Sequence, residues 1–234
     1  MLEWWQILLI VIGSVLLLVL LSIVLYRQFF KRFWDIVLSG LAIIVLSPLL
    51  IVLTIVGAIA MKGNPFFAQK RPGKKEKIFK LIKFRSMNNK KDENGELLPD
   101  EKRLSKYGKF LRASSLDELP ELFNIFVGNM SIVGPRPLLV EYIPWYTEEQ
   151  SHRHNIRPGL TGYAQANGRN GIDWDDKLAM DVKYVKNVSF FSDLNIIIKT
   201  IIIVIKRDGI SSSTSATMES FIDYCIANGR SQRR

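Results

Sequence analysis

The chain has 234 residues and a formal net charge of +10, which leaves room for one ordinary domain plus membrane segments. Its single cysteine, Cys225, excludes an intramolecular disulfide and is typical of a reducing compartment. Residues 1–60 hold three basic and two acidic side chains, so almost all of the positive charge lies downstream. A basic domain of this kind suggests nucleic acid, an anionic membrane surface or phosphate-bearing substrates as partners.

The first apolar segment, residues 7–25, contains no charged side chain and is long enough to cross a bilayer core. A cleaved signal peptide fits poorly, because no Lys or Arg precedes the segment and no small-x-small cleavage site follows it. Arg27, Lys31 and Arg32 come directly after it. The positive-inside rule therefore predicts a transmembrane helix with its N-terminus outside and a chain that is cytoplasmic from residue 27 onward.

The second apolar segment, residues 36–60, has positive charge on both flanks, because a run of basic residues follows it from Lys62 to Lys80. A simple span would place that run outside, against the positive-inside rule. Ser47-Pro48 lies at the middle of the segment, where proline removes a backbone donor and the serine hydroxyl can satisfy a freed carbonyl. The pattern slightly favours a re-entrant helix that bends here and returns to its side of entry. A kinked span is the alternative.

Downstream, the pattern predicts an α+β fold that is mainly helical. Two short strands are expected at residues 66–69 and 78–84, separated by Pro72-Gly73 and followed by a polar loop over residues 88–101. The remaining helices are predicted from apolar periodicity and end signals: one around Leu104–Leu111, one that ends at Gly128, one over 138–152 and one over 174–186. Residues 133–137 and 157–162 are too rich in proline and glycine for regular structure.

The last apolar segment, residues 190–205, carries polar side chains and a single apolar helical face, so it predicts a helix lying in the membrane interface. A buried core helix is an alternative of similar weight. The serine-rich tail beyond Gly209 is expected to be flexible. The predicted organisation is a transmembrane helix over 1–30, a re-entrant helix over 31–62, a catalytic domain over 63–210 and a tail over 211–234.

Two adjacent carboxylates, Asp117 and Glu118, stand out in the stretch that follows Ser115. Ser115 and Glu118 fit a capping box, although Pro120 complicates the register and could move the helix start towards itself. Near a helix N-terminus an ionised carboxylate can act as a nucleophile, hold a divalent cation or simply cap the helix. Taken alone, the stretch favours the capping role.

Three arginines, Arg71, Arg136 and Arg157, lie in glycine- and proline-rich loops of the basic domain. A rigid loop that presents a guanidinium group suits a diphosphate, because the planar fork pairs with two oxygens at once. Any one of them alone is more typical of a surface ion pair. The chain has no Walker A sequence, and the His152–His154 pair lacks further zinc ligands.

Several blocks occur in an order that resembles the monotopic phosphoglycosyl transferases, the bacterial enzymes that begin capsule, exopolysaccharide and related glycan assembly. The resemblance covers residues 31–210. The blocks are Lys31-Arg32-Phe33-Trp34-Asp35, Ser47-Pro48, Phe67-Ala68-Gln69-Lys70-Arg71-Pro72-Gly73, Lys83-Phe84-Arg85-Ser86-Met87, Ser115-Leu116-Asp117-Glu118-Leu119-Pro120, Val133-Gly134-Pro135-Arg136-Pro137 and Arg157-Pro158-Gly159-Leu160-Thr161-Gly162.

The resemblance implies transfer of a phospho-sugar from a UDP-sugar to polyprenol phosphate, with Mg²⁺ and a covalent intermediate. It places the nucleophile on Asp117 and its acidic partner on Glu118, both candidate metal ligands, and the re-entrant break on Ser47 and Pro48. We add Arg71, Arg112, Arg136 and Arg157 as candidate substrate-binding residues.

The compact length, together with residues 167–169 and 217–219, looks like the members that act on UDP-diacetylbacillosamine, so an N-acetylated hexosamine donor is expected. The transmembrane helix before Lys31 departs from these minimal members. We predict a membrane-embedded enzyme on the cytoplasmic face of a bacterial inner membrane, with membrane lipid but no nucleic acid as partner. The alternatives are a basic membrane adaptor without activity and a transferase without a covalent intermediate.

Overall fold

The computed structural model describes residues 3–168, 172–206 and 220–232. In chain order its helices and strands are α1 (Trp4–Val24), α2 (Lys31–Met61), β1 (Phe66–Pro72), β2 (Ile78–Phe84), α3 (Asp100–Arg103), α4 (Lys106–Ala113), α5 (Glu121–Val127), β3 (Ser131–Val133), α6 (Glu148–Ser151), β4 (Gly159–Thr161), α7 (Tyr163–Asn167), α8 (Trp174–Lys186), α9 (Phe190–Lys206) and α10 (Phe221–Ala227). The predicted mainly helical α+β fold is confirmed.

Two long helices near the N-terminus are apolar enough to cross a membrane. The window Trp4–Leu21 of α1 has a mean hydropathy of 2.6, and none of its residues is buried inside the described protein. The helical stretch Tyr26–Met61, which includes α2, contains an 18-residue window with a mean hydropathy of 2.9. Both helices are compatible with membrane anchoring.

The helix α2 continues through Ser47-Pro48 without a break in its assignment. Pro48 cannot donate to the carbonyl of Ile44, four residues back. The Ser47 hydroxyl donates to that carbonyl instead, at 2.8 Å, which confirms the predicted compensation. Re-entry itself stays a prediction, because it depends on where the bilayer surface lies.

Contacts with the rest of the protein run along the whole of α2. Near its start, Arg32 donates to the carbonyls of Ile125 and Phe126, and Asp35 accepts from Ser131. The middle of the helix packs against the core through Ala42, Ile43, Leu46, Leu50 and Leu53. Near the end, the Tyr107 hydroxyl donates to the Leu53 carbonyl at 2.9 Å and lies against Gly57. One small domain thus touches both ends of α2.

Two small sheets hold the loops of the domain in place. The strands β1 and β2 pair antiparallel with Phe66 opposite Phe84, which confirms the predicted hairpin. The strands β3 and β4 pair parallel. The strand β4 lies within the segment 157–162 predicted to be irregular, and β3 ends where the other such segment, 133–137, begins. Glycine is required there, since a Cβ on Gly159 would lie 2.1 Å from the backbone nitrogen of Gly134.

The helix predicted over residues 138–152 is wrong. The chain forms a 3₁₀ segment over Val140–Trp145, the short helix α6 and a second 3₁₀ turn over His152–Asn155. Pro144 has no N–H to continue a helix, and Thr147 starts a new one by capping the Gln150 N–H. The predicted helix over 174–186 is confirmed as α8.

The helix α9 has a buried anchor and an exposed apolar face. Its Asp193 is buried and accepts hydrogen bonds from Tyr26, Lys31 and Tyr184. The exposed face carries Phe191, Leu194, Ile198, Ile202 and Ile205. This face suits the predicted interfacial position and argues against a fully buried core helix.

The prediction of a flexible tail is wrong for its described part. Phe221 and Cys225 of α10 are fully buried among Tyr142, Tyr146 and Trp174. Serine-rich composition suggested flexibility, but the aromatic residues that follow it supply a packed helix. Residues 169 and 217–219, which entered the resemblance to one donor class, lie outside the described residues.

Candidate active site

A cavity of about 1020 Å³ opens between the β1–β2 hairpin, the segment around Asp117, the loop at Arg136 and the helix α9. Five of the predicted site residues line it together: Asp117, Glu118, Arg71, Arg112 and Arg136. Arg157 does not line it. Its Nε donates to the Gly128 carbonyl at 2.8 Å, so this arginine binds the C-terminal end of α5.

The carboxylates lie on a 3₁₀ turn, Leu116–Glu118, directly before α5. Ser115 has a left-handed backbone, with φ of 54°, and its side chain caps no N–H. The predicted capping box is therefore wrong, whereas the alternative of a helix start near Pro120 is confirmed, since α5 begins at Glu121. Proline is harmless at a helix start but would cost a hydrogen bond inside a helix that began at Ser115.

Glu118 is held by two cations. Its Oε1 accepts from Lys83 Nζ and from Arg136 Nη2, each at 2.7 Å. Burial opposes ionisation of Glu118, but Arg136 and Lys83 outweigh it and lower its pKa to about 2. Glu118 is therefore a fixed anion at neutral pH.

Asp117 has the opposite environment. Within the described part of the chain, no side chain from another residue forms a hydrogen bond or ion pair with its carboxylate. Burial and the neighbouring Glu118 charge raise the pKa of Asp117, while Lys83 and Arg112 partly oppose the rise. The helix α5 begins only at Glu121, so Asp117 is not part of its first turn. Asp117 is left as an uncommitted carboxylate that faces the cavity.

The cavity arginines are held in different ways. Arg136 is bound to Glu118, while Arg112 donates through Nε to Ser86 Oγ at 3.0 Å. Arg71 donates to Gln69 at 2.8 Å, and its buried Nε has no hydrogen-bond partner among the described residues. Guanidinium groups fixed around a cavity suit an anionic ligand with several oxygens.

A family model described as bacterial sugar transferase matches residues 26–207. The chain belongs to the bacterial sugar transferase family. The predicted family is confirmed, and with it the prediction that the protein is a phosphoglycosyl transferase enzyme. The alternative of a membrane adaptor without activity is not supported.

Three relatives show how far the similarity extends. The uncharacterized sugar transferase EpsL of Bacillus subtilis is 46% identical over 193 residues, which cover 82% of this chain and 95% of EpsL. The undecaprenyl-phosphate galactose phosphotransferase of Salmonella typhimurium is 36% identical over 200 residues, 78% of this chain and 42% of that protein. The UDP-glucose:undecaprenyl-phosphate glucose-1-phosphate transferase of Klebsiella pneumoniae is 38% identical over 182 residues, 74% of this chain and 39% of that protein. This sugar transferase thus spans nearly all of EpsL but about two fifths of the other two.

Lys83 and Glu121 of this sugar transferase also belong to the site, although the sequence did not single them out. Lys83 lies 2.7 Å from Glu118 and 3.1 Å from the buried Glu121, so it bridges the two carboxylates. Burial raises the pKa of Glu121 to about 7, although Lys83 opposes the rise. Lys83 stands between two apolar residues of β2, and this position was the signal that could have identified it as a site residue. Glu121 looked like an ordinary first-turn acid.

Proposed function

We propose that this sugar transferase moves a phospho-sugar from a UDP-sugar to polyprenol phosphate through a covalent intermediate on Asp117. The observation that carries the proposal is the difference between the surroundings of the two carboxylates. Glu118 is bound by Lys83 and Arg136. Asp117 faces a cavity lined by arginines, and its carboxylate is unpaired among the described residues. The names of the Salmonella and Klebsiella relatives, which specify undecaprenyl phosphate, support the choice of acceptor.

Two displacements at one phosphorus make up the reaction. An oxygen of Asp117 attacks the β-phosphorus of the donor, the bond from that phosphorus to the bridging oxygen breaks, and UMP leaves with the electron pair. A phosphate oxygen of polyprenol phosphate then attacks the same phosphorus. The bond to Asp117 breaks, which frees the carboxylate and yields polyprenol diphospho-sugar. Arg71, Arg112 and Arg136 bind the phosphate oxygens, while Lys83 and Arg136 keep Glu118 in place.

Mg²⁺ would be coordinated jointly by carboxylates of the protein and phosphate oxygens of the substrate. The described residues contain no cluster of three or more His, Cys, Asp or Glu side chains that could hold a metal ion. Mg²⁺ commonly uses one or two carboxylates together with substrate phosphates. Asp117, which is unpaired among the described residues, would supply one carboxylate, and Glu118 would add only its Oε2, because Lys83 and Arg136 bind its Oε1. When bound, the ion supplies charge compensation for the diphosphate.

We further propose that α2 is re-entrant and that the catalytic domain faces the cytoplasm of a bacterial inner membrane. The domain contacts both ends of α2, through Arg32 at the start and through Tyr107 against Gly57 near the end. A straight span would separate those ends by the hydrocarbon core, about 30 Å thick. Contacts at both ends therefore favour a helix that leaves the membrane on its side of entry.

For the donor we propose a UDP-linked N-acetylated hexosamine, from the sequence resemblance described above. The relatives carry galactose or glucose in their names. A screen of UDP-N-acetylhexosamines against UDP-galactose and UDP-glucose, scored by UMP release, separates these donor classes.

The test of the mechanism uses the purified full chain with the best donor and Mg²⁺ but no acceptor. Wild type should release up to one equivalent of UMP, form a phospho-sugar adduct and stop until polyprenol phosphate is added. Asp117→Asn, which keeps the shape but removes the nucleophile, should form no adduct and lose at least about a thousandfold in rate, consistent with loss of a covalent catalyst.

Glu118→Gln serves as the matched control, since it also exchanges a carboxylate for an amide on the same turn. It should be slowed but should still form a trace of adduct. UMP release that requires acceptor would favour the alternative of direct transfer. Adduct formation in Asp117→Asn would place the nucleophile elsewhere.

A further inference from the structure

The helix α9 presents two apolar surfaces with different surroundings. One carries Leu194, Ile198, Ile202 and Ile205 and points away from the domain. The other lines the cavity with Ile197, Thr200, Ile201, Ile203 and Val204. Among these, Ile197, Ile201 and Val204 are four and three residues apart and form a stripe that also includes Thr200. Residues at this spacing share one side of a helix, so the stripe forms a wall of the cavity that also contains Asp117.

Protein side chains leave the C-terminal part of the inner stripe uncovered, whereas Ile197 packs partly against the core around Val133. Ile201 is 52% exposed and Val204 49% exposed, although both line the cavity. The hydroxyl of Thr200, the polar member, lies 2.6 Å from Thr161 Oγ1 and donates to the Ile196 carbonyl at 2.8 Å. A ligand therefore meets a wall that offers it apolar contact and little hydrogen bonding.

The other side of the cavity is charged. Lys83, Arg112 and Arg136 line it together with the two carboxylates. A ligand that satisfies both sides needs an anionic group and an apolar chain. A nucleoside diphosphate sugar is polar over most of its length and makes poor use of an isoleucine wall.

The apolar surface is continuous from the outward face of α9 into the cavity. Ile201 and Ile205 are four residues apart and adjacent on the helix surface; Ile201 lines the cavity and Ile205 is 75% exposed. The anchor of Asp193 to Lys31 and Tyr184 fixes α9 beside α2. A lipid chain can thus reach the cavity along α9 without crossing a polar surface.

We propose that the stripe Ile197, Ile201 and Val204 of α9 binds the isoprenoid chain of the acceptor lipid phosphate, with its phosphate on the side of Lys83 and Arg112. This inference rests on the proposed function and adds the place of the acceptor. Charge complementarity fixes the orientation, because the anionic end belongs with the cations and the chain with the stripe.

The test compares Ile201→Ser with Ile202→Ser in the same mixed micelles. The two positions carry the same residue type, about 100° apart around the helix axis, and Ile202 does not line the cavity. Ile201→Ser should raise the KM for undecaprenyl phosphate about tenfold, the range expected for lost apolar contact. It should leave acceptor-free UMP release at the wild-type rate. Ile202→Ser should change neither quantity by more than about twofold.

A second pair of measurements uses chain length. Wild type should prefer undecaprenyl phosphate to farnesyl phosphate, and Ile201→Ser should reduce that preference several-fold. Val204→Thr, which is nearly isosteric, should act in the same direction more weakly. A raised donor KM with an unchanged acceptor KM would place the nucleoside on the stripe and overturn the proposal, as would equal effects of the Ile201 and Ile202 variants. Absence of UMP release by wild type with every UDP-sugar would instead overturn the proposed function itself.

Discussion

Asp117 and Glu118 are neighbours in the chain but differ in their freedom to react. Lys83 and Arg136 form ion pairs with the Glu118 carboxylate. Burial and the negative charge of Glu118 raise the pKa of Asp117. Carboxylates whose environments move their pKa values apart usually have different roles. The sequence could place the two acids side by side but not divide their roles, because the cations that divide them lie 35 and 18 residues away in the chain.

His154 gives a prediction that concerns stability alone. Burial, with a smaller contribution from the Arg153 charge, lowers the pKa of His154 to about 3. Its Nδ1 lies 3.4 Å from an oxygen of Glu76. Between about pH 6.5 and pH 3 the unfolded chain therefore binds a proton that the folded protein does not. The free energy of unfolding should therefore decrease as the pH is lowered through this window, by up to about 1.4 kcal/mol per pH unit.

The measurement is thermal unfolding of wild type and His154→Leu in detergent between pH 7 and pH 4.5. Leucine has a similar volume and takes up no proton, so the stability of the variant should depend less on pH. Other acids, Glu118 among them, contribute equally to both proteins and cancel in the difference. Identical pH slopes for the two proteins would show that His154 is protonated in the fold.

At the level of elements, α2 illustrates what an apolar run can and cannot predict. The run over residues 36–60 and its Ser-Pro centre indicated a membrane helix with a weak point. The helix begins at Lys31, five residues before the apolar run, and its first turns are held by the partners that Lys31, Arg32 and Asp35 find in the domain. Those partners lie far away in the chain, so periodicity could not reveal them.

The predicted side of each end of α2 can be measured by cysteine labelling with an impermeant maleimide. Gln28→Cys is an exposed position in the π-helical segment Tyr26–Phe30 directly before α2. Gly63→Cys lies after α2, where a Cβ meets no atom within 4 Å. Both should be labelled from the cytoplasmic side if α2 is re-entrant. Native Cys225 is buried and should react little.

Trp4→Cys, at the far end of α1, is the control and should be labelled from the opposite side. It is 75% exposed, so its access depends on the membrane and not on protein packing. Labelling of Gln28→Cys and Gly63→Cys from opposite sides would establish a kinked span.

The helix α10 shows how composition can mislead at the scale of an element. The serine-rich stretch before it predicted a flexible tail. Arg230 nevertheless donates one hydrogen bond to each carboxylate oxygen of Asp175, and the Tyr224 hydroxyl donates another to the same carboxylate at 2.9 Å. These interactions fix α10 against the aromatic cluster around Tyr142. The family match ends at residue 207, so α10 is a part of the core that the match does not include.

Over the whole molecule, the sequence predicted an element correctly where the residues of that element alone determine its structure. The hairpin of β1 and β2 and the bounds of α8 followed from strand pattern and helix signals. The parallel pair of β3 and β4 did not, since it joins two glycine-rich loops through a close backbone approach. The grouping of Arg71, Arg112 and Arg136 at one cavity came from residue chemistry combined with family resemblance. Arg157 was grouped with them by the same reasoning, but it does not line this cavity, and its Nε binds the end of α5.

Removal of residues 1–25 should leave the enzyme active, because the catalytic parts form a unit without α1. The family match begins at residue 26, and no residue in the apolar window of α1 is buried inside the described protein. The cut keeps Tyr26, whose hydroxyl donates to Asp193 at 2.8 Å and helps to hold α9. The remaining α2 and the exposed face of α9 retain membrane affinity. We therefore expect the purified truncation to keep UMP release and acceptor turnover within about threefold of wild type, a loss below 1 kcal/mol in transition-state stabilisation.

A companion truncation of residues 1–26 removes the Tyr26 contact and should be weaker in acceptor turnover. A folded 26–234 protein that releases no UMP would show that α1 contributes to the active site.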